Sequence, residues 1–532
     1  MFAGQKLEKK PSMAFIRDSA DGITHDLVSH SGRRSFLAAA LSILIMALAL
    51  RTYHIGTRTL WFDEAVLANL AGDSLHEMFS HTRYEHSAPI LHPAILYAIE
   101  KVNDRPTAVR LPSLAASLLA ITVLLATASR VGPVAALLAA LLLTVSASQI
   151  RYAQEVREYS LSVLWAAVLL YSFLVYTSPQ EDLDTKQRWR SALYFALFGA
   201  PLIQYGLALL GAAILVSMTV LLCLDRRTRD RLPDIVGSSA CLGVGALISV
   251  FLTLRYQWHF THQFKASLSD AYLDSMKGLP AHTMNLLAFI LPVRPSSLAM
   301  FCAIAAILVC IARTFYLHKG RPLIVLTFSG FAVVATCARL HVYPYYGVRQ
   351  CLFLAPLVTL LLGVALSDLI SLLPVTARKL AIGGAVCGIL LSGMSQIRNI
   401  NPYAEVEDIQ SVLKVLENSI QPHDRCYVYY GSVPAVNYYW KHRAPPFVYE
   451  SSRWGDAEWY VRQILTLGPD TSRVWLVFSS VFGHEEEFIV GEIRPDWNVE
   501  RTVSVHGASL YLAKRPEYSN ALPSRPRKDV SR

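Results

Sequence analysis

Residues 61–65 read Trp61-Phe62-Asp63-Glu64-Ala65, two adjacent carboxylates set shortly after the first apolar run of the chain, residues 35–50. That run is long enough to cross a bilayer, and the basic pair Arg33-Arg34 stands before it. A span that enters behind positive charge carries its far end to the non-cytoplasmic face, so Asp63 and Glu64 should emerge there. Acids held beside a membrane suit chemistry on a lipid-linked substrate. Taken alone they read as readily as solvated loop acids, and the rest of the chain has to decide between the two.

The composition excludes an ordinary soluble enzyme: 53% of the 532 residues are hydrophobic and only 17% are charged. The mean hydropathy is +0.36, that of a polytopic membrane protein. A net charge of +10 would otherwise suggest nucleic acid. The basic residues instead sit in short loops between apolar runs and form no separate basic domain, so no nucleic-acid partner is expected. Six of the eight cysteines (Cys223, Cys241, Cys302, Cys310, Cys337 and Cys387) fall inside apolar segments, where a thiol acts as a small hydrophobe. No disulfide framework or cysteine-based metal site follows.

Apolar runs at 35–50, 108–128, 133–147, 161–176, 193–203, 207–224, 235–254, 297–315, 323–338, 352–373 and 380–394 predict about eleven transmembrane helices. The fifth and sixth read as a broken pair around Gln204-Tyr205-Gly206. Ser31 to Leu37 followed by Ala47-Leu48-Ala49 mimics a twin-arginine export signal, but the many later apolar segments favour an uncleaved first span. With the N-terminus in the cytoplasm, alternate loops carry Arg130; Lys186, Arg188 and Arg190; Arg226, Arg227, Arg229 and Arg231; Lys319 and Arg321; and Arg378 and Lys379. All five obey the positive-inside rule.

An odd number of spans then leaves the tail outside. The expected organisation is a cytoplasmic tail at 1–34, a membrane domain at 35–396, an extracytoplasmic α/β domain at 397–516 and a disordered end at 517–532. The external loops at 51–107, 149–160, 255–284 and 341–350 should form one site over the bundle. Residues 64–78 carry apolar side chains at helical spacing, which suits either an interfacial helix or one packed on neighbouring loops. In the tail, 405–419 reads as a helix, and 426–430, 474–478 and 510–512 read as buried strands.

Three further stretches join the first motif. Ala108-Val109-Arg110-Leu111-Pro112-Ser113 opens the second span, Ser148 to Ser160 (SQIRYAQEVREYS) lies between the third and fourth, and Tyr343-Pro344-Tyr345-Tyr346-Gly347-Val348-Arg349-Gln350 forms a late turn. In this order and topology the chain resembles the C-fold (GT-C) membrane glycosyltransferases. It is most similar to the bacterial branch, glycosyltransferase family 39-like, that is related to protein O-mannosyltransferases and lipid A aminoarabinose transferases. The resemblance covers roughly 34–394, and more loosely the tail.

That resemblance implies a sugar donor carried on a polyprenyl phosphate, transferred with inversion to a lipid, glycan or protein acceptor on the outer face of a bacterial inner membrane. It implies that Asp63 is the catalytic base, taking the acceptor proton as the nucleophile attacks the anomeric carbon. Glu64, Glu85, Gln154, Glu155, Arg157, Tyr345 and Arg349 make up the expected substrate-binding set. Arg157 and Arg349 are the favoured phosphate ligands, because a guanidinium grips phosphate bidentately. The competing reading of Arg157 is a local ion pair with Glu155 or Glu158. Arg110 reads equally as a snorkelling anchor.

Relatives often carry an acid followed by two prolines late in the first loop. Here the stretch reads Tyr84-Glu85-His86-Ser87-Ala88-Pro89, without the pair. No cofactor is certain; a divalent metal held by Glu85, His86 or Glu64 is possible and is weighed against an ordinary solvated loop, since closed ligand spacing is lacking. The alternative function is a transporter or flippase for lipid-linked glycans, which would place ionisable groups at mid-membrane. Asp368 is the clearest acid within a span, close to its cytoplasmic end.

Overall fold

The computed structural model describes residues 30–72, 74, 88–178, 182–224, 232–255, 268–294, 297–317, 321–440, 447–448, 456–467 and 471–516. Glu85 and His86, the basic cluster 226–231, Lys319 and the two termini lie outside the described residues. In chain order the helices of the membrane region and its loops are α1 (His30–Thr52), α2 (Phe62–Gly72), α3 (Leu91–Glu100), α4 (Pro106–Ala126) and α5 (Pro133–Val145). There follow α6 (Ala147–Tyr152), α7 (Tyr159–Thr177), α8 (Leu183–Ile203), α9 (Tyr205–Leu224) and α10 (Leu232–Ser249). The series ends with α11 (Leu279–Ile290), α12 (Leu298–Leu317), α13 (Arg321–Arg339), α14 (Ala355–Ser371) and α15 (Val375–Ile400).

Every apolar run found in the sequence is helical. Among the described residues, eight helical stretches are long and apolar enough to cross a membrane, with two shorter apolar helices, Pro133–Val145 and Met300–Val309. The helix α8 misses that standard because its first turns, Leu183 to Arg190, are polar, opened by Asp182 accepting from the Thr185 amide at 2.6 Å. The break between α8 and α9 falls at Gln204, whose backbone is extended. Its side-chain amide donates to the Gln350 carbonyl at 3.0 Å, which also receives the Tyr343 hydroxyl at 2.8 Å. A helix interrupted in the bundle thus finds polar partners for the residue at the break.

The short α5 is buried along most of its length, from Ala135 to Val145. It packs on α14, where an added Cβ at Gly363 would come within 2.4 Å of the Ala135 carbonyl oxygen, so only glycine permits this backbone approach. The ends of α1 and α5 satisfy each other's surroundings. Arg51, fully buried, donates to the Leu143 and Thr144 carbonyls at the C-terminus of α5 at 3.1 and 3.0 Å, and to the Ser117 hydroxyl on α4 at 2.8 Å. The Gln154 amide donates in turn to the Arg51 and Tyr53 carbonyls at 3.0 and 2.7 Å. Last-turn carbonyls have no intrahelical partner, and these side chains supply donors.

By its contacts the chain divides into two compact units, Met1–Gly56 with Leu70–Ala404, and Thr57–Asn69 with Glu405–Arg532. The second is not continuous in sequence, since it takes in the first half of α2 and the acidic motif. Its α/β part contains α16 (Ile409–Ser419), β1 (Arg425–Val428), α17 (Val433–Tyr439), β2 (Phe447–Val448) and α18 (Ala457–Leu465). Then come β3 (Arg473–Ser479), α19 (Glu485–Ile493), β4 (Asn498–Val505) and β5 (Ala508–Lys514). The sheet order is β2-β1-β3-β5-β4, parallel across β1 and antiparallel at β3–β5 and β5–β4. The three expected strands are β1, β3 and β5, each largely buried. The edge strand β4 is mostly exposed, and its polar run gave no core signal.

One expectation changes. The helix expected at 405–419 begins only at Ile409, because Asp408 caps it by accepting from the Ser411 amide at 3.2 Å. Of the two readings left open for 64–78, the described part fits the packed one: Ala65, Val66, Leu67, Ala68, Leu70 and Ala71 are all buried, while 73 and 75–78 lie outside the described residues. Because each carbonyl left without its donor costs about 1–3 kcal/mol, Arg51→Met should destabilise the first unit by roughly 3 kcal/mol or more. Melting curves of the detergent-solubilised protein will read this as a clear fall in Tm, and an unchanged Tm would remove Arg51 from the account.

Candidate functional site

The first unit gathers its polar residues around the turn 153–158, between α6 and α7. Ser113 of α4 fixes the turn by donating to the Arg157 carbonyl at 3.0 Å, and the Arg157 amide closes it on the Glu155 carbonyl at 2.8 Å. The Arg157 side chain, only 3% exposed as a residue, reaches the Tyr159 hydroxyl at 3.2 Å and the Glu158 carboxylate at 3.4 Å. Its guanidinium carbon lies 5.4 Å from the centre of the Tyr159 ring. Arg349, from the late turn, lies 5.6 Å from the same ring. Two arginines far apart in sequence therefore converge on one tyrosine, each within cation–π range.

Glu155 is buried and accepts from Arg151 at 3.0 Å. Tyr152 packs edge-on to Tyr159 at 5.3 Å. Burial pushes the Tyr152 phenol up, the Glu155 charge adds to the rise, and Arg349 opposes it. Among the described residues Arg151, Arg157 and Arg349 therefore share this neighbourhood with Glu155 and Glu158.

Two members of the expected binding set do other work. Gln154 is fully buried with its amide nitrogen held by backbone carbonyls, so it staples the end of α1 rather than presenting a donor to a ligand. Tyr345 is 1% exposed, with its hydroxyl 2.7 Å from that of Thr283, and burial pushes its phenol up to about 12. Arg110 is no snorkelling anchor either: it is fully buried and donates to the Ile55 carbonyl at 2.8 Å. Tyr346 stays partly exposed beside a cavity of about 330 Å³ whose walls, largely apolar, include Phe289, Val293 and Ile400.

Sequence reasoning passed over His92. It lies on α3, is buried, and is close enough to the 156–158 turn to feel the charges of Glu158 and Arg157. Burial lowers its pKa to about 4, the Glu158 charge working against that fall. Its place in an apolar helix gave no sign of this, because the partners come from a turn some 60 residues later.

The second unit holds the acidic motif. Asp63 and Glu64 stand in the first turn of α2, where the helix dipole favours negative charge. Glu64 is 1% exposed and Asp63 is half-buried. The segment leading into the helix is stitched to the tail: the Thr59 amide and hydroxyl donate to Glu405 at 3.0 and 2.8 Å, and the Leu60 amide to the Tyr439 hydroxyl at 2.7 Å. Within α2, Asn69 donates to the Pro434 carbonyl at 2.7 Å. Among the described residues no three His, Cys, Asp or Glu side chains come together as metal ligands.

Residues 87–252 match the family model described as dolichyl-phosphate-mannose-protein mannosyltransferase. Among solved structures the chain is similar to ArnT from Cupriavidus metallidurans bound to undecaprenyl phosphate, with 14% identity, 91% of this chain and 98% of that chain covered, and a TM-score of 0.56. It is also similar to the Archaeoglobus fulgidus oligosaccharyltransferase in complex with zinc and sulfate, at 12% identity, 82% and 67% coverage and a TM-score of 0.51. The archaeal oligosaccharyltransferase AglB from the same organism, in complex with an inhibitory peptide and a dolichol-phosphate, gives 12% identity, 93% and 76% coverage and a TM-score of 0.51. A comparison with curated proteins finds no match. The chain is a polytopic helical membrane protein with the C-fold architecture of these transferases and a small C-terminal sheet region.

The His92 environment generates a pH dependence. The unfolded chain protonates this ring near its ordinary 6.5, whereas the folded chain resists until about 4. Stability is therefore full above about pH 6.5 and falls as pH drops towards 4, by about 3 kcal/mol for this group alone. Melting curves across that window should show a smaller loss for His92→Asn than for the parent protein; identical pH dependence would contradict the assignment.

Proposed function

We propose that this protein is an integral-membrane glycosyltransferase that moves a sugar from a polyprenyl-phosphate donor to an acceptor on the extracytoplasmic face, with inversion at the anomeric carbon. The observation that carries the reading is the convergence of Arg157 and Arg349 on Tyr159, with Arg157 inside the stretch that matches the mannosyltransferase model. A lipid phosphate leaving the sugar develops negative charge, and preorganised guanidinium groups in a dry setting stabilise it. The apolar cavity beside Tyr346 would take the first isoprene units of the lipid.

Asp63 acts as the general base, deprotonating the acceptor hydroxyl as it attacks. One carboxylate is enough, since the phosphate is a good leaving group that needs no protonation by a second acid. The N-terminus lies in the cytoplasm and the C-terminal domain outside, as the basic loops require. Residues 1–34, 35–396, 397–516 and 517–532 serve as cytoplasmic tail, transferase domain, extracytoplasmic domain and polar end. Glu64 and Glu155 complete the binding set, with Glu85 from the same first loop.

The test is transfer by the reconstituted protein from radiolabelled polyprenyl-phosphate sugars to a panel of envelope lipids, glycans and peptides. Asp63→Asn should fold and bind donor normally yet transfer about 100-fold more slowly or worse, the scale of a lost general base. Near-normal turnover by the folded variant would move the base elsewhere, and failure of the parent protein with every donor would overturn the function.

A further inference from the structure

The helix α11 ends at Ile290, two residues before Pro292. Proline has no amide proton, so the Ala288 carbonyl four residues back has no donor along its own helix. The Val293 amide, the next in line for Phe289, donates instead to the Leu291 carbonyl at 2.8 Å. The donors come from α6 and α15. Ser148 donates to the Phe289 carbonyl at 2.6 Å, and the Gln396 amide to the Ala288 and Leu291 carbonyls at 3.1 and 2.9 Å. Gln396 also accepts from the Ala147 amide, first of α6, at 2.9 Å. The end of α11 is thereby fastened to the helix that leads into the turn of Arg157.

The segment that carries Arg349 is held along the same helix. His282 Nδ1 lies 2.9 Å from the Tyr345 carbonyl oxygen; a carbonyl only accepts, so this nitrogen carries the proton and donates. One residue on, the Thr283 hydroxyl donates to the Leu279 carbonyl at 2.8 Å and so accepts from the Tyr345 hydroxyl at 2.7 Å. Gly347 then lies close against α11: an added Cβ would come within 2.9 Å of the Asn285 carbonyl oxygen and 3.2 Å of the Phe289 Cβ. The contacts at 282, 285 and 289 recur at i, i+3 and i+7, so one face of α11 runs along this turn.

Phe289 stands where the two attachments meet. Its carbonyl receives Ser148, its Cβ backs Gly347, and its ring lies 6.3 Å from that of Tyr152 in an edge-on arrangement. The same residue lines the apolar cavity beside Tyr346. Tyr152 in turn packs on Tyr159, the ring on which both arginines converge.

We infer that α11 is the spacer that sets the separation of Arg157 and Arg349, and that Phe289 is the positioning residue through which a lipid chain in the cavity tightens their grip on its phosphate. The part played by the lipid rests on the proposed polyprenyl-phosphate donor; the spacer does not. A chain packed against Phe289 restricts the ring, and Tyr152 and the Gly347 backbone are restricted with it. Less freedom is then left to lose when the two guanidinium groups close on the phosphate.

The experiment combines hydrogen exchange of the full-length protein in nanodiscs with a titration of polyprenyl phosphate. Phe289→Ala should speed exchange on the order of tenfold at the amides of both segments, 148–159 and 345–351, as expected when aromatic packing against them is lost. Gly347→Ala, which pushes only the late turn away from Asn285, should raise exchange at 345–351 alone. If Phe289→Ala does not fold, Phe289→Leu keeps the bulk but not the ring contact with Tyr152, and should give a rise of about threefold in both segments. In the titration, Arg349→Lys should weaken binding about tenfold in the parent background but less than about threefold on top of the Phe289 variant, whereas residues that act independently would add within about twofold. Unchanged exchange at either segment in the folded Phe289 variant would overturn the spacer. A full tenfold loss on both backgrounds would overturn the part played by the lipid. Faster exchange in both segments of a protein that binds no polyprenyl phosphate would leave the spacer standing and remove the donor reading instead.

Discussion

The buried guanidinium of Arg51 is the interaction on which the membrane unit turns. It donates to the open carbonyls at the end of α5 and to Ser117 of α4, while Gln154 donates to the open carbonyls at the end of α1. Helix ends within an apolar bundle cannot leave carbonyls unmet, so three helices and the turn 153–158 are locked into one node. That turn carries Arg157, whose carbonyl is tied to α4 through Ser113. A site able to grip a phosphate needs its guanidinium groups fixed before the ligand arrives.

The arginine cluster carries an electrostatic tension that stability alone does not explain. Arg157 sits buried against Glu158 at 3.4 Å, and a buried ion pair is often no more stable than a well-packed apolar substitute. The local pairing expected from sequence is present, then, but it coexists with the approach of Arg349 to the same Tyr159 ring.

Much of the fold could be read from the sequence, because apolar runs in a membrane protein are long, continuous signals. All eleven became helices, and the break at Gln204 was visible as a polar interruption. Strands β1, β3 and β5 were legible as short buried runs, whereas β4, polar and at the sheet edge, was not. The site was less legible. Arg157 and Arg349 were picked out by chemistry, but their meeting on Tyr159 depends on packing between distant segments. Gln154 and Tyr345 looked like ligands because polar residues near a motif do; in the structure the Gln154 amide nitrogen and the Tyr345 hydroxyl meet backbone and hydroxyl partners. His92 was missed, since burial by remote segments leaves no local mark.

The central claim is that Arg157 and Arg349 together hold the lipid phosphate, and its most direct test is a binding titration of polyprenyl phosphate against the parent protein, Arg157→Lys and Arg349→Lys, with melting curves in parallel. Lysine keeps the charge but loses the planar fork. The account predicts that each variant binds the lipid about tenfold more weakly or worse, the cost of one charge-assisted bond of ~1.4 kcal/mol or more, while Tm stays nearly fixed. Unchanged affinity in both folded variants would contradict it.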